Sequence, residues 1–391
     1  MAPAVQTVHS RPNRPPIQFK SMRTTDVIVI GGGLTGLSVA LHLRWRGLSV
    51  RVLERDRIGD GTSSRSSGWI SAHLRTPNHL LELVLESLAY YPAFLDRLGS
   101  TCEFAVSGSL VAFDSEEQLA QRRILDQDMR AVAAYSGAEF VDAKGAHALE
   151  PGLGDHIVGG AYFAGDAQID PRLLLERMLA SARSSGVAVH EGAGVTATTR
   201  DGSGWRVESP LGTFHAQTLV NAAGAWAPAI AELAGIDLPV LPVSGQLLVS
   251  VPSPVISHCL IYQPDARFAT GLACGLRPAM DGRLWMGTTY RAGTFDCAIT
   301  AEDTASILDA VGSLIPTLKG VEIEQAWAGV RPVPADLIPI FGPVSAVPGY
   351  HVAIPIAGLA EAAGAGRLMA GVISGDERRP DLGPDRFTAA D

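Results

Sequence analysis

The sequence predicts an α/β protein: a Rossmann-type first domain, joined to a second α+β domain built on an antiparallel sheet. Three observations predict it. A β-branched run leads into a glycine-rich turn and then a helical segment near the start of the chain. A block of strand-like runs separated by turn residues lies between Val240 and Tyr290. The length of 391 residues, 47% of them hydrophobic, is enough to bury two cores.

Asp26-Val-Ile-Val-Ile30 is apolar on both faces, the pattern of a buried parallel strand. It enters Gly31-Gly-Gly-Leu-Thr-Gly36, where Gly31, Gly33 and Gly36 satisfy GxGxxG. Gly31 permits the tight turn, Gly33 lets a pyrophosphate approach, and Gly36 lets the helix pack on the strand. The helix, with Leu37, Leu41 and Leu43, stops at Gly47. A second strand, Ser49–Leu53, ends at Glu54, about 20 residues past the first glycine, where a carboxylate accepts from ribose hydroxyls. That acid disfavours a 2′-phosphate, so NAD and FAD remain as ligands, and the glycines do not separate them.

Composition narrows the class further. A net charge of −9 argues against a general nucleic-acid binder. The apolar runs Val27–Leu43 and Ile354–Ile373 are interrupted by glycines or by Glu361 and Arg367, so no membrane span is expected. Cys102, Cys259, Cys274 and Cys297 form no CxxC or metal spacing and read as reduced thiols; no metal is expected. Residues 1–23 are proline- and arginine-rich without an apolar core, and read as a disordered leader. A cytoplasmic location is the default expectation. The oligomeric state stays open, a homo-oligomer included.

Three further segments complete a pattern: Gly59-Asp-Gly-Thr-Ser-Ser-Arg-Ser-Ser-Gly-Trp-Ile70, Thr218-Leu-Val-Asn-Ala-Ala-Gly-Ala-Trp-Ala-Pro228, and Trp327-Ala-Gly-Val-Arg-Pro-Val-Pro-Ala-Asp-Leu-Ile-Pro-Ile-Phe-Gly342. With them the chain resembles the D-amino-acid oxidase superfamily of flavoproteins, and within it glycine oxidase and the sarcosine oxidases, from about Thr24 to Asp376. The resemblance implies FAD. It assigns Gly31, Gly33, Leu34, Thr35, Gly36, Glu54 and Arg55 to the adenosine–pyrophosphate part. Gly61, Thr62, Ser63, Ser64, Ser67 and Gly68 form a hydroxyl-rich loop beside the cofactor, with Trp69 and Ile70 flanking the ring. Val195 meets the adenine; Ala223, Gly224 and Trp226 end the strand beside the pyrophosphate. A final helix starting near Ala357, Gly358, Leu359 and Ala360 points its positive end at the flavin. Covalent relatives use a cysteine or histidine at set positions. With no cysteine in Pro332–Gly342 and no histidine in Thr62–Gly68, noncovalent FAD is expected.

The implied chemistry is oxidation of an amine or amino acid at the C–N bond, with hydride passing to the flavin and oxygen as acceptor. Arg331 matches the arginine that clamps a substrate carboxylate; the competing reading pairs it with Asp336. The chain departs from glycine oxidase where Ile354 and Ile356 replace polar residues. It also lacks a tyrosine before Pro278, and Tyr290 is the substitute hydroxyl. A substrate larger or more apolar than glycine follows. His73 falls near the flavin in the same comparison, with a structural role competing. A dehydrogenase using another acceptor, and a flavin-binding subunit without turnover, are the alternative readings.

The expected domain division is discontinuous. Residues 24–78, 150–236 and 326–378 bind FAD, 79–149 and 237–325 form the substrate domain, and 379–391 are a C-terminal tail. Asp170 and Pro171 mark a helix start, and helices are expected over 79–98 and 301–314.

Overall fold

The computed structural model describes residues 24–71, 79–253, 256, 258–262 and 272–388. β1 (Thr24–Ile30) runs from an exposed start into a wholly apolar, buried end, Val27–Ile30. It pairs in parallel with β2 (Val50–Leu53) on one side and with the strand Gly212–Asn221 on the other. Ile30 stands opposite both Leu53 and Asn221, so three carboxyl ends finish level. That edge is where ligands enter open parallel sheets. The strand Ala188–His190 extends the sheet beyond β2. Tyr350–Ile354 joins Gly212–Asn221 in parallel, and the hairpin Ala197–Asp201 with Gly204–Ser209 adds antiparallel strands.

α1 (Leu34–Trp45) is buried almost all round because the closing helix, Gly358–Ser374, covers its outer side. The approach is close. A side chain at Gly366 would meet Ser38 Oγ at 2.2 Å, and one at Gly364 would meet Ser87 of the helix His79–Leu98 at 3.1 Å. The run of glycine and alanine in the closing helix is thus a packing surface between two helices. Among the described residues, no helix is long and apolar enough to cross a membrane.

Among the described residues the second sheet has nine strands. Val240–Ser250 lies near one end, flanked by Leu284–Thr289, Arg291–Ala292 and the long strand Ile323–Pro334. The sheet continues through Leu272–Pro278 and Cys259–Tyr262 to Ser109–Phe113, Gly159–Phe163 and Glu139–Asp142. The helix Ala301–Leu314 backs it, burying Ile307, Ala310, Val311 and Leu314. Its cap is Thr300, whose hydroxyl accepts the Asp303 N–H at 3.0 Å.

Three features differ from the expectation. The second sheet is not wholly antiparallel, because Cys259–Tyr262 pairs in parallel with Ser109–Phe113. These strands come from widely separated segments, so no hairpin dictates their direction. The strand Gly159–Phe163, and Ile323–Pro334 from residue 326 onward, expected on the cofactor side, hydrogen-bond into the second sheet. The final segment is also more than a tail. Leu382 is fully buried, and Arg386 grips Asp336 with Nε at 2.7 Å and Nη2 at 3.1 Å. Residues 1–23, expected as a leader, lie outside the described residues. All four cysteines carry free thiols.

Candidate active site

A single cleft runs from the level strand ends of the first sheet to the face of the second. Its first half is built from backbone. Gly31 has φ +111°, and a Cβ there would lie 2.5 Å from Ala222 O. A Cβ at Gly36 would lie 2.0 Å from Gly31 O, so only glycine lets α1 start against the turn. Gly33 is the N-cap of α1 and offers no side-chain cap. Leu34 N–H donates to Ser63 Oγ at 3.0 Å, which ties the loop after β2 to the helix start. The first turn has no acidic residue to consume its positive end, and Gly33, Leu34 and Thr35 line the cleft. Such a terminus binds phosphate.

Glu54 is fixed by two backbone donors. Oε2 accepts Gly32 N–H at 2.6 Å and Oε1 accepts Asp56 N–H at 3.0 Å. A carboxylate has about four lone-pair sites, so acceptor capacity remains for ribose hydroxyls. Across the cleft, the buried Asn221 shapes the turn after its strand. Its Oδ1 accepts Ala223 N–H at 3.2 Å, and its Nδ2 donates to Ala227 O at 2.8 Å and to the Tyr350 hydroxyl at 3.1 Å. Arg55 stands over the Trp226 ring at 5.0 Å. Glu54, Arg55, Val195, Ala223, Gly224 and Trp226 all line this half.

The middle of the cleft is the loop 59–71, clamped to the second sheet. The Thr62 hydroxyl donates to Val330 O, and Trp327 Nε1 donates to Arg65 O at 3.2 Å. Gly61, Thr62, Ser63, Ser67 and Trp69 reach the cleft. Gly36, Ser64, Gly68, Ile70 and Ala360 do not line it. They stand in the wall: Ile70 and Ala360 are buried, and a Cβ at Gly68 (φ +90°) would meet Arg277 Nε at 2.6 Å. His73 lies outside the described residues.

The far half is made of side chains. Trp69, Leu247, Ile261, Cys274, Pro355 and Ile356 give it apolar walls, and Ala357, Gly358 and Leu359 bring in the start of the closing helix. The Trp69 ring abuts Gly275, where an added Cβ would fall 2.3 Å from it. Burial pushes the Cys274 thiol up to about 12, so it stays protonated and unreactive. Arg331 lines this half with its guanidinium 4.7 Å above the Tyr290 ring. Among the described residues it makes no ion pair, and Asp336, the alternative partner, is taken by Arg386. Leu247, Ile261 and Gly287 were not singled out in the sequence. The glycines inside strands, Gly245 and Gly287, were the available signal, because strand glycines mark close approach.

Fold and cleft together define a dinucleotide-binding α/β protein whose second sheet faces the cleft. The family described as DAO, FAD dependent oxidoreductase, matches residues 26–372, and the chain belongs to it. The chain is 29% identical to the hydrogen cyanide synthase subunit HcnC of Pseudomonas aeruginosa over 374 residues, covering 84% of this chain and 87% of that one. It is 28% identical to a glycine oxidase of Geobacillus kaustophilus over 385 residues, covering 93% and 96%. The crystal structure of the Geobacillus kaustophilus glycine oxidase superposes with a TM-score of 0.85 at 26% identity, covering 91% of this chain and 96% of that one. The protein is an FAD-dependent enzyme. The cradle fits that cofactor: close backbone approach at Gly31 and Gly36, an uncapped helix start, and a tethered acid at Glu54.

Proposed function

We propose that the enzyme oxidises the C–N bond of an amine or amino acid that is larger or more apolar than glycine. The substrate carboxylate, where there is one, pairs with Arg331. The observation that carries this reading is an arginine without an ion pair among the described residues, set on Tyr290 at the end of an apolar chamber. A guanidinium fork recognises a carboxylate through two parallel hydrogen bonds.

In this reading Gly31, Gly33, Thr35 and Ser63 hold the pyrophosphate, Glu54 the ribose, and Val195 the adenine end, all without a covalent bond. FAD, once bound, supplies the hydride acceptor. The chain's own contribution is placement. Arg331 and Tyr290 fix one end of the substrate, and Trp69, Leu247 and Ile261 exclude water and accept its side chain. The amine carbon loses its hydrogen with both bonding electrons and becomes an iminium, which water converts to a carbonyl and free amine or ammonia. Oxygen then takes the two electrons and two protons as hydrogen peroxide. The presence of glycine oxidase among the relatives supports an amino-acid substrate.

The test is anaerobic bleaching of the flavin by a panel of amines and of D- and L-amino acids, followed by admission of air. Rapid bleaching by an apolar amino acid and prompt recolouring with peroxide are expected. Bleaching without recolouring for minutes assigns the electrons to another acceptor. No bleaching by any member overturns the reading.

A further inference from the structure

The closing helix carries a carboxyl side chain among the small apolar residues of its first half. Glu361 lies in the first turn and is wholly buried. Its Oε1 accepts the N–H of Ile356 at 3.0 Å and of Ala357 at 2.5 Å. These residues, with Gly358 and Leu359, form the cleft wall at the ring end. The carboxylate therefore sits directly behind that wall. Two backbone donors that would otherwise be open to a ligand turn inward to Glu361.

A helix start and two N–H donors stabilise negative charge. A cofactor that accepts a hydride gains one negative charge, and a bare helix N-terminus would favour that gain. Glu361 offsets it from within the same turn. We propose that Glu361 is a positioning residue that fixes the Ile356–Gly358 turn and, by its charge, holds the reduction potential of the bound flavin low. Substrate oxidation is then less downhill, and discharge of the two electrons to the acceptor more so. The inference rests on the proposed placement of the flavin ring at this wall.

The experiment uses the purified holoenzyme with E361Q and E361D. Glutamine keeps an acceptor oxygen for both N–H groups and removes the charge, while aspartate keeps the charge. The readouts are the flavin midpoint potential and the dissociation constant for sulfite, which adds to the ring and leaves it anionic. E361Q is expected to shift the reduction equilibrium by about tenfold toward the reduced form, about 30 mV for a two-electron couple. Sulfite should tighten by a similar factor, and E361D should stay near wild type on both. E361Q within about twofold of wild type overturns the proposal, since a purely structural cap would leave both readouts in place. If E361Q does not retain FAD, a potential in E361D displaced from wild type also overturns it. A wild-type protein that takes up no FAD overturns the placement of the cofactor and this inference with it.

Discussion

The two ends of the cleft are built by different means. The glycine-rich end is backbone: a left-handed glycine, a helix start without a side-chain cap, and an acid held by two N–H groups. The far end is side chain, drawn from the strands of the second sheet and from the loop before the closing helix. The difference teaches where change is tolerated. A backbone cradle has almost no substitutable part, whereas a chamber of side chains can alter its preference residue by residue.

The strongest attempt to break this contrast is Gly36→Val. Its branched side chain has no room beside Gly31 O, and the cost is about 3 kcal/mol or more. Protein that is colourless and melts well below wild type is expected, read from the flavin-to-protein absorbance ratio and a thermal scan. A yellow, stable variant would show that the cradle is less exacting than the geometry requires. Next is Arg331→Leu, which should leave flavin content intact. It should lower kcat/KM for carboxylate substrates by about 2 kcal/mol or more, as when one partner of a buried charged pair is lost. Unchanged kinetics would remove the arginine from recognition.

Acid should act on the packing around the first sheet that supports the glycine-rich end. His42 of α1 is buried against Phe94 with its Nδ1 2.8 Å from Ser38 O and its Nε2 3.1 Å from the Tyr90 hydroxyl. Burial lowers it from 6.5 to about 4, and His351, in the strand Tyr350–Ile354, is lowered to about 4 by burial. As the pH falls, the unfolded chain takes up these protons first. Stability is therefore full above pH 6.5 and declines as the pH approaches 4. Each histidine accounts for about 2 kcal/mol by pH 5. Denaturant melts at neutral pH and near pH 5 measure it, and His42→Gln should flatten the slope. The smallest effect is expected from Gly275→Ala. The added methyl pushes the Trp69 indole into the chamber and should shift preference between small and large substrates by about tenfold, with FAD retained. A substrate profile identical to wild type would mean that Trp69 does not border the substrate.

The same contrast explains what could be read from the sequence. The unit from β1 to Glu54 is contiguous, and each residue's task follows from its local backbone, so strand, turn, helix and acid were all legible. The helix start at Asp170 was legible for the same reason: the cap accepts N–H groups two and three residues ahead. Leu247 and Ile261 were not, because they meet only when distant strands pair. Neither was the parallel pairing of Cys259–Tyr262, nor the anchoring of the last segment by Arg386. Glu361 was visible only as a charge breaking an apolar run, since its partners are backbone atoms that converge when the turn before the helix forms. The role of Arg331 was suggested by resemblance, and its freedom from Asp336 emerged only from the fold.

The strand Ile323–Pro334 has a consequence for how such an enzyme can diversify. Trp327, Gly329 and Arg331 alternate with the buried Ala328 and Val330; Trp327 and Gly329 meet the loop 59–71, and Gly329 and Arg331 line the cleft. A strand repeats every two residues, so a slip of this strand's pairing by one residue would turn all three to the opposite face at once. A change of preference at this strand is therefore expected from exchange of a single side chain with the strand's length and register kept.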